Sequence, residues 1–348
     1  MATVILILIL LLVLSITDQT SKIWKHSTAE IQSFQNARAA YSTMTQRLSQ
    51  ATLNTYLDYY DNSSPPSPRT PANASTFTPS YYARNSNLHF VSDQASTLIP
   101  GTATLHPGHT VFFQAPLGFT LDSTNYGGLP NMLNACGYFV EFNTDKPYLP
   151  PFLTGSSVVQ ERYRYRLMEF LQPTENNAIY SLPSTGSASS YDQWFTNFLP
   201  PTVTVAQAPL RVLADNIIAL AILPELSPHD QPTSGAQTNL VTSTYTYDSR
   251  AGDIINNKLT HHQLPPLLRV VMVAIDEPSA LHLSPSGTTT PPPLISNLTF
   301  FQTTHSADPN TDINNDINTL TQALSAQKVN FRVFDNDIAI RGAKWSTQ

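Results

Sequence analysis

The start of the chain is apolar and uninterrupted, and few folds can accommodate it. No charged residue occurs from Ala2 to Thr17, and no Gly or Pro occurs before Pro65. Because Gly and Pro are the usual interrupters of helices, we predict one continuous helix from Met1 to about Leu53. At 1.5 Å per residue such a helix is roughly 80 Å long, more than a small domain can bury. Part of it must therefore lie outside the globular body.

An unbroken aliphatic run near the N-terminus is the predicted membrane anchor, and it comprises Val4, Ile5, Leu6, Ile7, Leu8, Ile9, Leu10, Leu11, Leu12, Val13 and Leu14. Three interpretations compete: a secretory signal, a transmembrane helix, and a pilin-type helix that begins in the membrane and continues beyond it. The run falls a few residues short of the about 20 that a spanning helix needs. A signal peptide needs a basic N-terminal region and a small-residue cleavage site, and neither occurs here. We therefore favour the pilin-type helix.

The basic residues near the run all follow it, from Lys22 onward. By the positive-inside rule alone, they would place the globular part in the cytoplasm. A true start upstream of Met1 would explain the short span, the missing basic flank and the abrupt apolar start together, and we expect one.

Apolar residues continue along one face of the predicted helix at spacings of three and four. We predict that this stripe packs, and it comprises Trp24, Ile31, Phe34, Ala37, Tyr41, Met44, Leu48 and Ala51, the first two after one slip in register. The stripe can pack on its own domain or on the helices of neighbouring subunits. A pilin-like protein uses one helix for both purposes, so the two interpretations are compatible.

Beyond the helix we predict an α+β protein with a mainly antiparallel sheet and long Pro- and Thr-rich loops. Residues 1–60 form the anchor and amphipathic helix, residues 61–80 a Pro/Ser/Thr-rich linker or loop, and residues 81–348 a β-rich head. A late helix is predicted around Ile313, Ile317, Leu320 and Leu324. Strand patterns occur at residues 87–91, 111–115, 137–142, 163–170, 217–223, 267–275 and 331–340.

Composition excludes several classes of function. The chain of 348 residues has 18 basic and 24 acidic residues and a net charge of -6, so a broad basic surface for nucleic acid is not expected. Only 12% of residues are charged, which is typical of proteins outside the cytoplasm. The single cysteine, Cys136, excludes an intrachain disulfide, and we expect it to be a buried core residue.

Catalytic and metal-binding motifs are missing from the sequence. There is no G-x-S-x-G elbow, phosphate loop or dinucleotide fingerprint. His106 and His109, and the adjacent His261 and His262, lack a supporting acidic motif, so we interpret them as structural. We predict no enzyme activity, no catalytic residues, no metal, no cofactor and no small-molecule substrate.

Alternation of basic and aromatic residues over residues 162–166 predicts a strand with one cationic face. Arg162, Arg164 and Arg166 would form that face. An RNA or an acidic partner could bind it, but a solvated strand face agrees better with the acidic net charge.

Longer blocks carry a resemblance to a known family. The segments SITDQTSKIW at 15–24, ARAAY at 37–41 and RLSQATLNTY at 47–56 resemble the helix of the pilin-like proteins called Verru_Chthon cassette protein C. Further blocks of that family are similar to VFFQAPLG at 111–118, RLMEFLQPTE at 166–175, YTYDSR at 245–250 and RGAKW at 341–345. The resemblance therefore extends over nearly the whole chain. The apolar segment departs from pilins in having no glutamate and no G-[FM]-T-L-x-E motif.

That family is similar to the J-type minor pseudopilins of type II secretion. The resemblance implies a structural component of the cell envelope, anchored by a single pass in the inner membrane with its head in the periplasm. Its partners would be other pilin-like subunits, bound through the N-terminal helix. Two other classes stay open: a secreted or tethered carbohydrate-binding or hydrolytic domain, and a monotopic membrane protein that never joins a fibre.

Overall fold

We analysed a computed structural model of the chain. The structure describes residues 2–154, 161–181, 191–230, 245–252, 254–255, 259–285, 287–296, 301 and 309–344. In the first helix, side chains are described at residues 10–22, 24 and 28 and from residue 30 onward.

Helix α1 spans Ala2–Leu48, so it ends before the predicted boundary at Leu53. The helix ends in a tightened turn in which the Ala51 N–H donates to the Leu48 carbonyl at 3.0 Å. Asn54 then has a φ of 46°, a left-handed conformation that no helix continues. Within the described part of the chain, no helix combines the length and apolar content needed to span a membrane. The side chains of the predicted anchor at residues 4–9 lie outside the described residues.

The remaining elements are mostly strands. The strands are β1 (Tyr56–Tyr60), β2 (Tyr81–Asn85), β3 (Val91–Gln94), β4 (His109–Pro116), β5 (Leu133–Thr144), β6 (Tyr163–Gln172), β7 (Leu210–Asp215), β8 (Ile217–Glu225), β9 (Tyr247–Asp248), β10 (Leu267–Ile275) and β11 (Phe331–Ala339). Among the described residues, two further helices exceed one turn, α2 (Glu277–Leu283) and α3 (Pro309–Ala326). Single helical turns lie at Ala95–Leu98, Ser123–Tyr126, Lys146–Tyr148, Pro151–Thr154, Thr174–Asn176, Ala178–Tyr180, Gln193–Thr196 and Pro293–Ser296.

These strands form three sheets, and every described pairing is antiparallel. A six-stranded sheet has the order β7-β6-β5-β4-β3-β9, and a three-stranded sheet has the order β11-β10-β8. Strand β8 packs across β4, β5 and β6, so the two sheets face each other around one core. The prediction of an α+β protein with mainly antiparallel sheets is confirmed.

Strands β1 and β2 form a separate hairpin in which Tyr56 lies opposite Asn85 and Tyr60 opposite Tyr81. Residues 61–80 connect these two strands. The predicted boundary at residue 60 therefore falls within the hairpin, and the Pro-rich segment does not separate the helix from the head. Pairing across 20 intervening residues is not visible in local sequence patterns.

Candidate functional site: the two parts of helix α1

The C-terminal part of α1 lies in the core of the head. Ala37, Tyr41, Met44 and Leu48 are buried, as is Ala51 beyond the helix end. The helix contacts β7, β10, β11 and α2. The hydroxyl of Tyr41 donates to the Val270 carbonyl of β10 at 2.8 Å, and its ring stacks on Phe334 of β11 at 5.5 Å. Burial, together with Asp335 and Asp337, raises the pKa of Tyr41, which keeps this hydroxyl a neutral donor.

Phe34 marks the place where α1 leaves the head. Its ring is partly buried against the core and lies 5.5 Å from the guanidinium carbon of Arg332, a cation–π contact. Three residues earlier on the helix, Ile31 is 55% exposed.

N-terminal to Ile31 the described side chains of α1 are exposed, apart from Glu30, which is partly buried. Trp24 is 74% exposed, and the side chains at residues 10–14 are between 53% and 60% exposed. Residues 10–17 also carry no charge. The predicted stripe is therefore divided: Trp24 and Ile31 lie on the projecting part of α1, whereas the residues from Ala37 onward are covered by the head. Tyr41 and Leu48 are not accessible to a neighbouring subunit, which corrects the expectation that the whole stripe could serve as an interface.

A buried carboxylate fixes the end of α1 to the six-stranded sheet. Glu169 of β6 is 1% exposed and accepts from Arg47 of α1, from Arg211 of β7 and from the Tyr138 hydroxyl of β5 at 2.6 Å. Burial, followed by the charge of Glu169, raises the pKa of Tyr138 well above its usual range. Neither Glu169 nor Arg47 was singled out from the sequence, because the partners lie 122 residues apart.

The predicted cationic face of β6 is buried rather than solvated. Arg164 and Arg166 are 4% and 2% exposed. Nε of Arg166 donates to Asp215 at 2.7 Å, and Nη1 of Arg164 donates to the Ser284 carbonyl at 2.7 Å. Only Arg162 is half-exposed, and it pairs with Asp145 at 3.0 Å. The expectation of a solvated face was wrong because Asp145, Asp215 and Glu277, distant in sequence, neutralise these cations.

A second buried polar network surrounds His89. The indole N–H of Trp194 donates to Nδ1 of His89 at 3.1 Å, so Nδ1 carries no proton. Nε2–H then donates to Asp248 at 2.8 Å, and the Tyr191 hydroxyl donates to the other oxygen of Asp248 at 3.3 Å. Burial lowers the pKa of His89, which is consistent with a neutral ring. Oδ1 of Asp192 lies 3.6 Å from Nδ1, and within the described residues it has no hydrogen-bond partner.

The remaining singled-out side chains also lie inside the fold. His109 is buried between the two large sheets, and Cys136 is buried, as predicted. Burial raises the pKa of the Cys136 thiol, so it is a poor nucleophile. Within the described residues, no group of three or more His, Cys, Asp or Glu side chains has a metal-binding arrangement.

Comparison with known proteins found no match among family models, curated proteins or solved structures.

Proposed function

We propose that this chain is a non-enzymatic, pilin-like subunit of an envelope assembly, anchored in the inner membrane with its head in the periplasm. It binds other pilin-like subunits through the projecting part of α1. The proposal rests on one observation: the described side chains at residues 10–14, Trp24 and Ile31 are apolar and exposed on a helix whose C-terminal part is embedded in the head.

Exposed apolar surface of this kind favours association. Burying one Leu or Val side chain is worth about 1.5–3 kcal/mol, so the consecutive side chains at residues 10–14 together favour an apolar environment strongly. Lipid and the helices of neighbouring subunits both supply such an environment. Residues 15–24 and 47–56 resemble pilin-like helices. This resemblance supports contact with the helices of neighbouring subunits in addition to contact with lipid.

A non-enzymatic role is supported by the placement of the titratable groups. His89 and His109 are completely buried and make hydrogen bonds within the fold. Asp248, Glu169 and Arg166 are likewise engaged with protein partners. Such groups stabilise the head and are not positioned to meet a substrate.

Disulfide cross-linking in native membranes tests the proposal. Cysteine substitutions at Leu12, Trp24 and Ile31, one at a time, should give intermolecular dimers upon mild oxidation. Cys136 is buried with a raised pKa, so the wild-type background should be negligible.

Leu48→Cys is the matched control, because Leu48 belongs to the same predicted stripe but is buried in its own head. Thr76→Cys provides an exposed control on the 61–80 connection. Both controls should stay monomeric. The proposal is abandoned if cysteines at Trp24 and Ile31 react fully with a maleimide in membranes and none of the three substituted positions forms a dimer.

A further inference from the structure

A cleft of about 630 Å³ runs between helix α1 and strand β7, and we call it the α1–β7 cleft. Its volume falls in the range of ligand-binding sites. One wall is a face of α1 whose side chains are small or uncharged and polar, and it comprises Gln32, Ser33, Asn36, Ala39, Ala40 and Thr43. None of these residues belongs to the predicted apolar stripe. The opposite wall is formed by residues 212–216, with Arg162 and Glu277 beside it.

Strand β7 presents its edge to the cleft. Side chains of a strand alternate between two faces, so a wall made of consecutive residues from Val212 to Asn216 is typical of exposed main chain. Strand β7 is the last strand on its side of the six-stranded sheet. Within the described residues, the main chain at 211–215 forms hydrogen bonds only with β6. An unpaired edge of this kind is a template for a further strand.

Charged side chains often protect an open strand edge, but those of β7 are paired with β6. Arg211 donates to Glu169, and Asp215 accepts from Arg166 at 2.7 Å. Both partners belong to β6. The charges of β7 are therefore neutralised within the sheet, and they oppose an approaching strand less than free charges would.

The other polar groups of the cleft favour an uncharged ligand that donates hydrogen bonds. Arg162 pairs with Asp145 at 3.0 Å and lies 3.7 Å from Glu277, so its charge is compensated. Asn216 is 3% exposed, and its Oδ1 has no hydrogen-bond partner within the described residues. A buried acceptor without a donor is costly. The main chain of a peptide is an uncharged ligand that supplies such donors.

The two walls also match in length. From Gln32 to Thr43 the helix rises by about 16 Å, at 1.5 Å per residue. Five residues of an extended chain cover about the same distance, at 3.3 Å per residue. The cleft is therefore as long as a short strand, and the small side chains of α1 leave room beside the edge of β7.

We propose that the α1–β7 cleft binds an extended, uncharged peptide segment of a partner protein, which adds to β7 as a further strand of the sheet. Main-chain hydrogen bonds to β7 supply the affinity, and side chains on one face of the added strand lie against α1. This interaction is separate from assembly through the projecting part of α1, and it gives the head a recognition site of its own.

Fluorescence anisotropy with the full chain in non-ionic detergent tests the proposal. The probe is a fluorescein-labelled, C-terminally amidated Thr-Val-Thr-Val-Thr peptide, because uncharged β-branched residues favour the extended conformation. The matched probe is the same peptide with every main-chain nitrogen methylated, which removes its donors. The first peptide should bind saturably, and methylation should weaken binding by about tenfold or more. Binding should also slow hydrogen exchange in residues 211–215.

A pair of variants on α1 locates the binding site. Ala39 is exposed and lines the cleft, so Ala39→Trp should fill the cleft and weaken binding by about tenfold or more. Ser42→Trp is the matched control, because Ser42 is exposed on the same helix but is not part of the cleft wall, and it should leave binding unchanged.

Three results would each overturn the proposal: no binding of the unmodified peptide, equal binding of the methylated peptide, or full binding by Ala39→Trp. Such a failure leaves the assembly function untouched, since the anisotropy measurement does not involve the projecting part of α1. Conversely, the cross-linking experiment does not involve the α1–β7 cleft.

Discussion

Asp192 is a buried carboxyl whose ionisation lowers the stability of the folded chain. It lies beside the unprotonated Nδ1 of His89, with Asp248, Tyr191 and Arg250 as its other charged or titratable neighbours. Burial, followed by the charge of Asp248, raises the pKa of Asp192 to about 7. Arg250 opposes this shift only in part. At neutral pH about half of the folded chains therefore hold a proton on Asp192 that the unfolded chain has released.

The difference between the pKa of Asp192 in the folded and in the unfolded chain predicts how stability changes with pH. A raised pKa in the folded state means that the contribution of Asp192 to stability is fully present below about pH 4 and is lost as the pH rises towards 7. Asp192→Asn keeps the shape of the protonated side chain and removes this loss. From pH 5 to pH 7.5 the variant should gain roughly 2 to 3 kcal/mol in unfolding free energy relative to wild type.

Urea unfolding of both proteins at the two pH values measures this gain. Asp18→Asn, which removes an exposed carboxyl from the projecting part of α1, gives the baseline for losing one acid. A gap between Asp192→Asn and wild type that stays constant with pH would show that Asp192 is ionised in the folded chain at both pH values.

At the scale of elements, the attachment of α1 depends on the carboxylate of Glu169. Replacing it by Gln in Glu169→Gln leaves two guanidiniums without their shared counter-charge. Breaking a buried ion pair costs about 3–5 kcal/mol, and the partial exposure of Arg47 and Arg211 lowers the expected loss to about 2 kcal/mol. Thermal unfolding should show this loss, and hydrogen exchange should speed up in residues 40–48 ahead of the sheet.

Glu30→Gln is the control within the same helix, because Glu30 lies before the embedded part of α1. It should leave both readouts unchanged. Equal protection of residues 40–48 in wild type and Glu169→Gln would mean that apolar packing alone holds the helix.

Sequence patterns identified the strands and helices whose apolar residues form a clear local pattern. Strand β10 was predicted at residues 267–275 and lies at Leu267–Ile275, because a run of β-branched and aliphatic residues buried on both faces is unambiguous. The late helix was predicted from its apolar face, and Ile313, Leu320 and Leu324 are buried.

The elements that were missed depend on partners distant in sequence. Strands β1 and β2 are exposed over much of their length, so no alternation marked them. The predicted stripe on α1 is divided at the point where the helix leaves the head. The periodicity of the helix does not encode that position.

At the scale of the whole molecule, His109 joins the two large sheets. It lies on β4 of the six-stranded sheet, and its Nδ1 lies 2.8 Å from the Ile222 carbonyl and 3.0 Å from the Ile222 N–H of β8. Its Nε2 lies 2.8 Å from the Phe301 carbonyl. Burial lowers the pKa of His109, and the Phe301 and Ile222 carbonyls oppose this shift only in part.

A lowered histidine pKa makes the folded state bind fewer protons than the unfolded state. The contribution of His109 to stability is therefore complete above about pH 6.5 and declines as the pH falls below it, by up to about 1.4 kcal/mol per pH unit. The advantage of wild type over His109→Asn should thus shrink between pH 7 and pH 5. Guanidinium unfolding at these two values measures it, and an unchanged advantage would contradict a neutral His109 ring in the folded chain.

The C-terminal segment returns to the point where α1 enters the head. The Arg341 N–H donates to the Ser49 carbonyl at 2.9 Å, and the Thr52 N–H donates to Gln114 of β4 at 2.9 Å. The backbone at Gly342 lies so close to the turn after α1 that an added Cβ would be 2.7 Å from the Ala51 carbonyl oxygen. A mechanical load applied along α1 is therefore shared at this junction by the last segment of the chain and by a central strand. Tension on the projecting part of the helix would reach this junction through the embedded part of α1, and the two attachments would pass it on to the C-terminal segment and to β4.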